Sequence, residues 1–566
     1  MEQYKIKCIS SLAKVFPLIE PEDDLKEIQL SAFQNEVLSF QVAYKGNMDW
    51  TKFVTLDISS PLNKCMNIRQ VKVMPSLYPC GPNYDGDFLD TKPGLYPDLL
   101  RKIKNKQVQV LPGLWHSVWV DIEPGLRISG GDYQIEISLK DSSGNILCCT
   151  GIIIRVYKGM LPDQTLKNTQ WFHADCLADY YHVIPWSKKH WKLIDNFLSI
   201  YTKRGMNTIL TPTFTPPLDT AVGGERTTVQ LVEVTAEGNN YYFNFDKLKQ
   251  WINLCEKHGI VYFEMAHLFT QWGAKHAPKI MGWKHGSYRQ LFGWNTDAGS
   301  EEYAIFLKAY LAALLPQLYQ WNLQGRVYFH LSDEPEEGDM EAYAYARELV
   351  KDCIGDYPII DALSHYPFYE NGLADNPIPV IDRIEPFLEN KVPDLWTYYC
   401  CAQEKEVSNR FFAMPSARNR ILGIQLYKYD IKGFLHWGFN FYNTKYSLEH
   451  INPYEITDAG GFFQSGDSFL VYPGADEKPE ESIRLMVFAE AIQDVRALEW
   501  LESLTSKEFV LKLIEEGLDE PLTFKRYPAD NAYILKLRSK VNNLISALLT
   551  NDITKSGAAD SKGSER

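Results

Sequence analysis

A chain of 566 residues is too long for a single core, so two or three domains are expected, and 23% charged with 45% hydrophobic residues is an ordinary globular composition. The formal net charge of −14, without any basic tract, argues against nucleic acid or an anionic membrane surface as a partner.

The opening MEQYKIKCISSLAKVFPLIEPEDD lacks a long apolar stretch and turns acidic early, so no signal peptide and no membrane insertion are read and a cytoplasmic location is expected. The ten Cys are scattered. The adjacent pairs Cys148 and Cys149, and Cys400 and Cys401, sit in strand-like runs, which suits reduced thiols better than a disulfide framework or a zinc site.

Residues 1–165 read as all-β. The run Leu38 to Tyr44 largely alternates apolar and polar residues, and Gln107 to Leu111, Trp115 to Ile122, Tyr133 to Leu139 and Ile146 to Val156 do so less strictly. Turn residues separate them, as at Gly130, Gly131 and Asp132, and the spacing predicts a β-sandwich that ends at Gly159 to Asp163. From residue 166 to about 505 strands alternate with helices. Eight strands are expected: Thr169–Cys176, Asn207–Thr213, Val261–Leu268, Val327–Leu331, Pro358–Ser364, Ile378–Ile381, Leu395–Cys400 and Gly433–Phe439. Helical runs such as Trp186–Lys203, Phe245–His258, Glu301–Tyr319, Met340–Cys353 and Ser416–Tyr429 fall between them, the count of a (β/α)8 TIM-type barrel. A hairpin is expected near Glu237 to Asn240, and Phe269 to Asn295 forms a long loop rich in Trp, His and Gly that suits a pocket wall or a packing surface. Ser482 caps a helix from Ile483 to Leu501; residues 506–549 read as a C-terminal helical appendage, and 550–566 as a disordered tail.

The fourth strand carries the chemistry. Val327 to Leu331 is a short buried run, Asp333 and Glu334 follow at its end, and Pro335 stops the ladder. Asp333 as a helix cap and Glu334 in an ion pair is the bland reading of such a pair. At the C-terminal rim of a barrel the pair reads instead as acid/base groups. A retaining glycosidase with a carboxylate nucleophile sets its two carboxyls ~5 Å apart across the sugar. Neighbours on a regular strand diverge, so both reach one pocket only if the strand end is irregular. Adjacent carboxylates suit a division of labour in which Glu334 protonates the leaving oxygen and Asp333 steadies a substrate group that attacks, such as a 2-acetamido group.

The stretch HLSDEP (330–335) resembles the catalytic motif of glycoside hydrolase family 123, the β-N-acetylgalactosaminidases. The likeness continues through LWTYYC (395–400), RILGI (420–424), GFLHWG (433–438), LVYPG (470–474), SIRL (482–485) and AIQD (491–494). It implies a glycosidase that removes terminal β-linked N-acetylgalactosamine with retention, Asp333 holding the 2-acetamido group and Glu334 acting as general acid/base. The alternatives are a glycosidase for another sugar on the same scaffold and a non-catalytic carbohydrate-binding protein.

Other strand ends nominate pocket residues: His173 and Asp175 on the first, His365 and Tyr366 on the fifth, Trp396 and Tyr398 on the seventh, and His436 or Trp437 with Asn440 on the eighth. An aromatic share of 13% serves cores and sugar platforms alike, and Trp437 is the nominated platform. Tyr398 is expected to donate its hydroxyl to an acetamido carbonyl. The His spacing matches no metal motif, and neither a phosphate loop nor a GxSxG elbow occurs, so no metal and no cofactor are expected.

Overall fold

The computed structural model describes residues 3–22, 24–25, 29–47 and 50–560, without the side chains of 551–560. Of the tail expected to be disordered, 561–566 lie outside the described residues, and the backbone of 550–560 continues the helix Asn531–Asp560. The chain divides into two compact units, and it passes from one to the other four times.

One unit comprises Met1–Thr165, Glu404–Tyr429 and Glu480–Arg566. Its first sheet runs, edge to edge, Tyr4–Ser10, Leu38–Gly46, Trp115–Ile122, Met66–Ser76 and Gly94–Lys102, antiparallel throughout. The second runs Leu30–Phe33, Ile146–Tyr157, Gly131–Lys140, Lys52–Ser59 and Gln107–Val110. Period-two patterning is visible where it faces the core: Ile135, Ile137 and Leu139 are buried, and Glu136 between them is exposed. Among the described residues four α-helices complete this unit: Ser416–Lys428, Ile483–Leu504, Lys507–Ile514 and Asn531–Asp560. Ile421, Val487, Leu498 and Ile545 from them join Phe40, Val120 and Ile137 of the sheets in one apolar cluster.

The helix expected between the seventh and eighth strands, and the one expected after the eighth, therefore belong with the sheets. The reason is visible in Ser416–Lys428, whose residues are buried on every face except at the last, so its surroundings are not those of an amphipathic surface helix. Its arginines are paired within the same unit: Arg420 with Glu490 at 2.8 Å and with Asp494 at 2.7 Å, Arg418 with Asp85 at 2.7 Å.

The other unit, Leu166–Gln403 and Asp430–Pro479, holds all eight expected strands, each shorter than its sequence run. Six form a parallel sheet in the order Val327–Phe329, Tyr262–Met265, Thr208–Thr211, Lys167–Gln170, Gly433–His436 and Trp396–Tyr398. Ile360–Ala362 and Asn376–Ile378 pair as a parallel ribbon. Single parallel bridges, Phe329 with Ile359 and Val380 with Tyr398, link the ribbon to the two ends of the sheet. The helices beside the ribbon are short, Pro367–Glu370 and Glu385–Glu389. Gly433 has a packing reason: a Cβ there would meet the Trp396 ring at 2.0 Å.

The two insertions merge. The hairpin Glu233–Glu237 with Asn240–Asn244 pairs through its first strand with Ile280–Lys284, which pairs in turn with Ser287–Phe292, giving one four-stranded sheet. The second half of the Trp- and Gly-rich loop is thereby a pair of strands. No helix of the described residues is long and apolar enough to cross a membrane.

Candidate active site

The fourth strand stops at Phe329, and the chain bends through Asp333 and Glu334. Glu334 has φ +45°, a left-handed conformation that non-glycine residues seldom adopt. That bend resolves the geometric problem of adjacent carboxylates, because both side chains line one cavity of about 330 Å³. The bend is pinned from both sides. Trp272 N–H donates to the Asp333 carbonyl at 2.9 Å, and Glu334 N–H donates to the Ala362 carbonyl at 3.0 Å. The cavity lies wholly within the second unit and is also lined by Trp171, His173, Asp219, Trp272, Tyr398 and Trp437.

The Tyr398 hydroxyl donates to Glu334 Oε1 at 2.6 Å. Burial raises the Glu334 carboxyl above its ordinary range, and the Tyr398 hydrogen bond pulls the other way without cancelling it. Asp333 goes well above its usual range through burial first and the Glu334 charge second, with the His330 charge opposing. Among the described residues none donates a hydrogen bond to the Asp333 carboxylate.

Below the pair lies a buried polar layer built from four strand ends. His330 Nε2 is 3.0 Å from Glu264, its Nδ1 is 3.4 Å from Asp361, and its ring stacks on His267 at 4.4 Å. Burial disfavours the charged ring, but Asp361 and Glu264 outweigh it and push His330 up to about 9. Trp171 Nε1 donates to Glu264 at 3.0 Å, and Tyr343 donates to Asp361 at 2.7 Å. Asp361 also accepts from Leu331 N–H at 3.0 Å, which ties the layer to the strand end. His267, His330 and Asp361 bring three potential metal-ligand atoms within 4.8 Å of one another. The two rings are stacked almost parallel, 18° apart, so their in-plane lone pairs do not converge, and two carboxylates already claim His330. The layer fits an ion-pair network better than a metal centre.

The nominated residues separate into groups. Asp333, Glu334, His173, Tyr398 and Trp437 line the cavity. Trp437 is fixed by Nε1 donating to Asp467 at 3.0 Å and by edge contacts with Phe441 and Phe463. His173 caps the helix Ala174–Tyr180 instead of ending a strand. Its Nδ1 faces Arg226 at 3.0 Å, and a guanidinium only donates, so Nε2 carries the proton given to the Trp437 carbonyl at 2.8 Å. Burial and the Arg226 charge take His173 down to about 4.

The other five nominations do not line the cavity. Asp175 is in the first turn of that helix, in a buried pair with Arg226 at 2.7 Å. Asn440 exchanges two hydrogen bonds with the His173 backbone, both 2.9 Å. Trp396 packs in the apolar cluster with Leu435 and Ile360. His365 contacts Glu336 at 2.8 Å and Glu337 at 3.2 Å, and Tyr366 packs edge-on against Phe387. His436, weighed as an alternative to Trp437, is buried 3.3 Å from Asp467.

The cavity also takes in residues that strand-end reasoning passed over: Asp219, Gln271, Trp272, Lys445, Tyr446 and Phe463. They sit on loops or, for Lys445 and Tyr446, in a single 3-10 turn, beyond the reach of periodicity. Trp272 had one signal, its place in the Trp-rich insertion.

Residues 171–501 match the family model for the glycoside hydrolase 123 catalytic domain, and the chain belongs to that family. It is a glycosidase by family. Among solved structures it is similar to a family 123 glycoside hydrolase from Clostridium perfringens, described in connection with glycolipid glycan hydrolysis. That structure shares 14% identity and a TM-score of 0.74, covering 98% of this chain and 100% of the other, and it supports the fold. Two β-glucuronidases, from Bacteroides uniformis and Parabacteroides merdae, overlap 87% of this chain and 52% of their own at 11% and 10% identity. Their TM-scores of 0.27 and 0.30 carry no argument. No curated protein matches the chain.

Proposed function

We propose that this glycosidase removes terminal β-linked N-acetylgalactosamine by a retaining, substrate-assisted reaction. The reading also takes the eight linked parallel strands as a (β/α)8 barrel and the two five-stranded sheets as a β-sandwich. The observation that carries it is the left-handed turn at Glu334, which lets two consecutive carboxylates line one cavity.

The two groups divide the work. Glu334, whose protonated form burial favours, gives its proton to the glycosidic oxygen as the bond to the anomeric carbon breaks. The 2-acetamido carbonyl oxygen attacks that carbon from the opposite face and closes an oxazolinium ring. Asp333 accepts the acetamido N–H and faces the positive charge that develops there, which favours the transition state over the bound substrate. Water then adds to the anomeric carbon while Glu334, now a carboxylate, takes its proton, and the configuration is retained. Asp333 has to be ionised for this role, and the charged His330 ring beneath it favours that form. Trp437 supplies an apolar face for the sugar ring. A cavity of about 330 Å³ suits one terminal sugar better than an internal stretch of glycan.

The test is hydrolysis of paired aryl β-glycosides of GalNAc, GlcNAc and galactose. Cleavage of the GalNAc glycoside alone supports the full reading. Cleavage of the galactoside would remove the acetamido mechanism, and cleavage of none would redirect the assignment to other sugars or to binding.

A further inference from the structure

Asp219 is a third carboxylate in the cavity, and the reaction just described gives it no task. It sits on the loop that follows the second parallel strand, at φ +40°. Three loops meet around it. Tyr446 N–H donates to Asp219 Oδ2 at 3.0 Å, and the Ser447 hydroxyl donates to the Asp219 carbonyl at 2.7 Å. The Gln271 side chain accepts from Asp219 N–H at 2.6 Å and donates to the Thr220 carbonyl at 3.1 Å. Trp272 and Tyr446 meet edge-on at 5.6 Å and are themselves left-handed, at φ +61° and +62°. Three non-glycine residues in that conformation, held by hydrogen bonds and a ring contact, make an over-determined wall.

One carboxylate oxygen of Asp219 is spent on this clasp. The other has no donor among the described residues, and the side chain lines the cavity. An aspartate with one oxygen anchored and one open is an acceptor of fixed direction, which is what a sugar hydroxyl requires.

Its side of the cavity follows from what the neighbouring groups touch. Trp272, whose N–H donates to the Asp333 carbonyl, meets the Tyr446 ring, and Tyr446 N–H holds Asp219, whereas Glu334 is tied to Ala362 and Tyr398. Asp219 is therefore on the Asp333 flank, and Tyr398 is on the Glu334 flank. Glu334 faces the leaving oxygen in the proposed reaction, so Asp219 faces the sugar itself, away from the departing group.

We propose that Asp219 is a specificity-determining residue, an anionic acceptor for ring hydroxyls of the terminal sugar on the side remote from the scissile bond. The inference rests on the reading of Asp333 and Glu334 above. It also assigns the three-loop clasp to closing the sugar's far end, which restricts the enzyme to terminal residues.

Asp219→Asn is the discriminating variant. Asparagine tolerates a left-handed backbone, and its carbonyl oxygen can still accept from Tyr446 N–H, so the clasp is kept while the open acceptor becomes a donor. The substrates are aryl β-GalNAc and its 3-, 4- and 6-deoxy analogues. With the wild-type enzyme, removing the bound hydroxyl is expected to lower kcat/KM roughly ten- to a hundredfold. Asp219→Asn should show a similar loss on the parent sugar and little further loss on that one deoxy analogue. Equal losses by the variant on the parent and on every analogue, or no loss on the parent, would overturn the inference. So would a wild-type series in which no deoxygenation costs more than about threefold, a result that does not depend on how the variant folds. Wild-type activity with either of these outcomes sinks the role of Asp219 alone, whereas wild-type inactivity on every aryl N-acetylhexosaminide sinks the proposed function along with it.

Discussion

The Tyr398 hydroxyl donates a 2.6 Å hydrogen bond to Glu334, so the proton expected to serve a substrate carbonyl is already committed to the carboxylate beside it. The bond favours the ionised form of Glu334, against the burial that favours the protonated form. Tyr398→Phe removes the opposing influence, so the pKa of Glu334 goes up. A general acid has to be protonated to act, and the basic limb of the pH profile of kcat/KM should therefore move to higher pH. A limb that stays in place or moves down would show that Glu334 is not the acid being titrated.

Glu334→Gln should lower kcat by ~10²–10⁴ on substrates whose leaving group needs a proton. Aryl glycosides with a strongly acidic phenol should lose much less, because that oxygen departs as an anion. Equal losses on both would assign the proton to another residue.

Asp333→Asn should reduce kcat far more than it changes KM, since the carboxylate acts on charge that is absent from the bound ground state. A thiazoline analogue of the cyclic intermediate should inhibit the wild-type enzyme strongly and the variant weakly. A defect confined to KM would place Asp333 in simple binding.

His330→Gln removes the cation that opposes the rise of Asp333, and the groups left facing that space are Glu264, Asp361, His267 and Asp333 itself. Asp333 should then hold its proton to higher pH, and the acid limb of the pH profile should shift upward. Unfolding in denaturant should register a loss of ~3–5 kcal/mol, because two buried carboxylates lose their counter-charge. An unchanged acid limb in a folded variant would separate the buried layer from the chemistry.

The parts of this molecule that were legible in the sequence obey a short-range rule. Val327 to Leu331 announces a buried strand, Ser482 announces a helix start and indeed accepts from Leu485 N–H at 3.1 Å, and Asp333 and Glu334 stand out by position. Strand ends were overshot because the rim bends while the residues stay buried: His173 and Asp175 fall in a cap and a helical turn after Gln170. Strands such as Gly94–Lys102 and Met66–Ser76 escaped notice because proline and buried charge interrupt the alternation, as Pro97 and Arg69 do. The left-handed turns at Glu334, Asp219, Trp272 and Tyr446 had no signal at all, since no glycine marks them. Each is held by long-range hydrogen bonds or ring contacts that only the folded chain supplies.

The first unit has a history as well as a structure. Its apolar cluster joins Phe40 and Val120, made early in synthesis, to Ile534, Val541 and Ile545 near the end of the chain. While the ribosome is still adding the intervening residues, the two amino-terminal sheets lack the helical side chains that complete this cluster. A fragment ending at Thr165 should accordingly aggregate or bind a hydrophobic dye, and the nascent chain should depend on holdase chaperones until the helix that carries Val541 and Ile545 emerges. A monomeric, cooperatively unfolding 1–165 fragment would show that the sheets complete a core unaided.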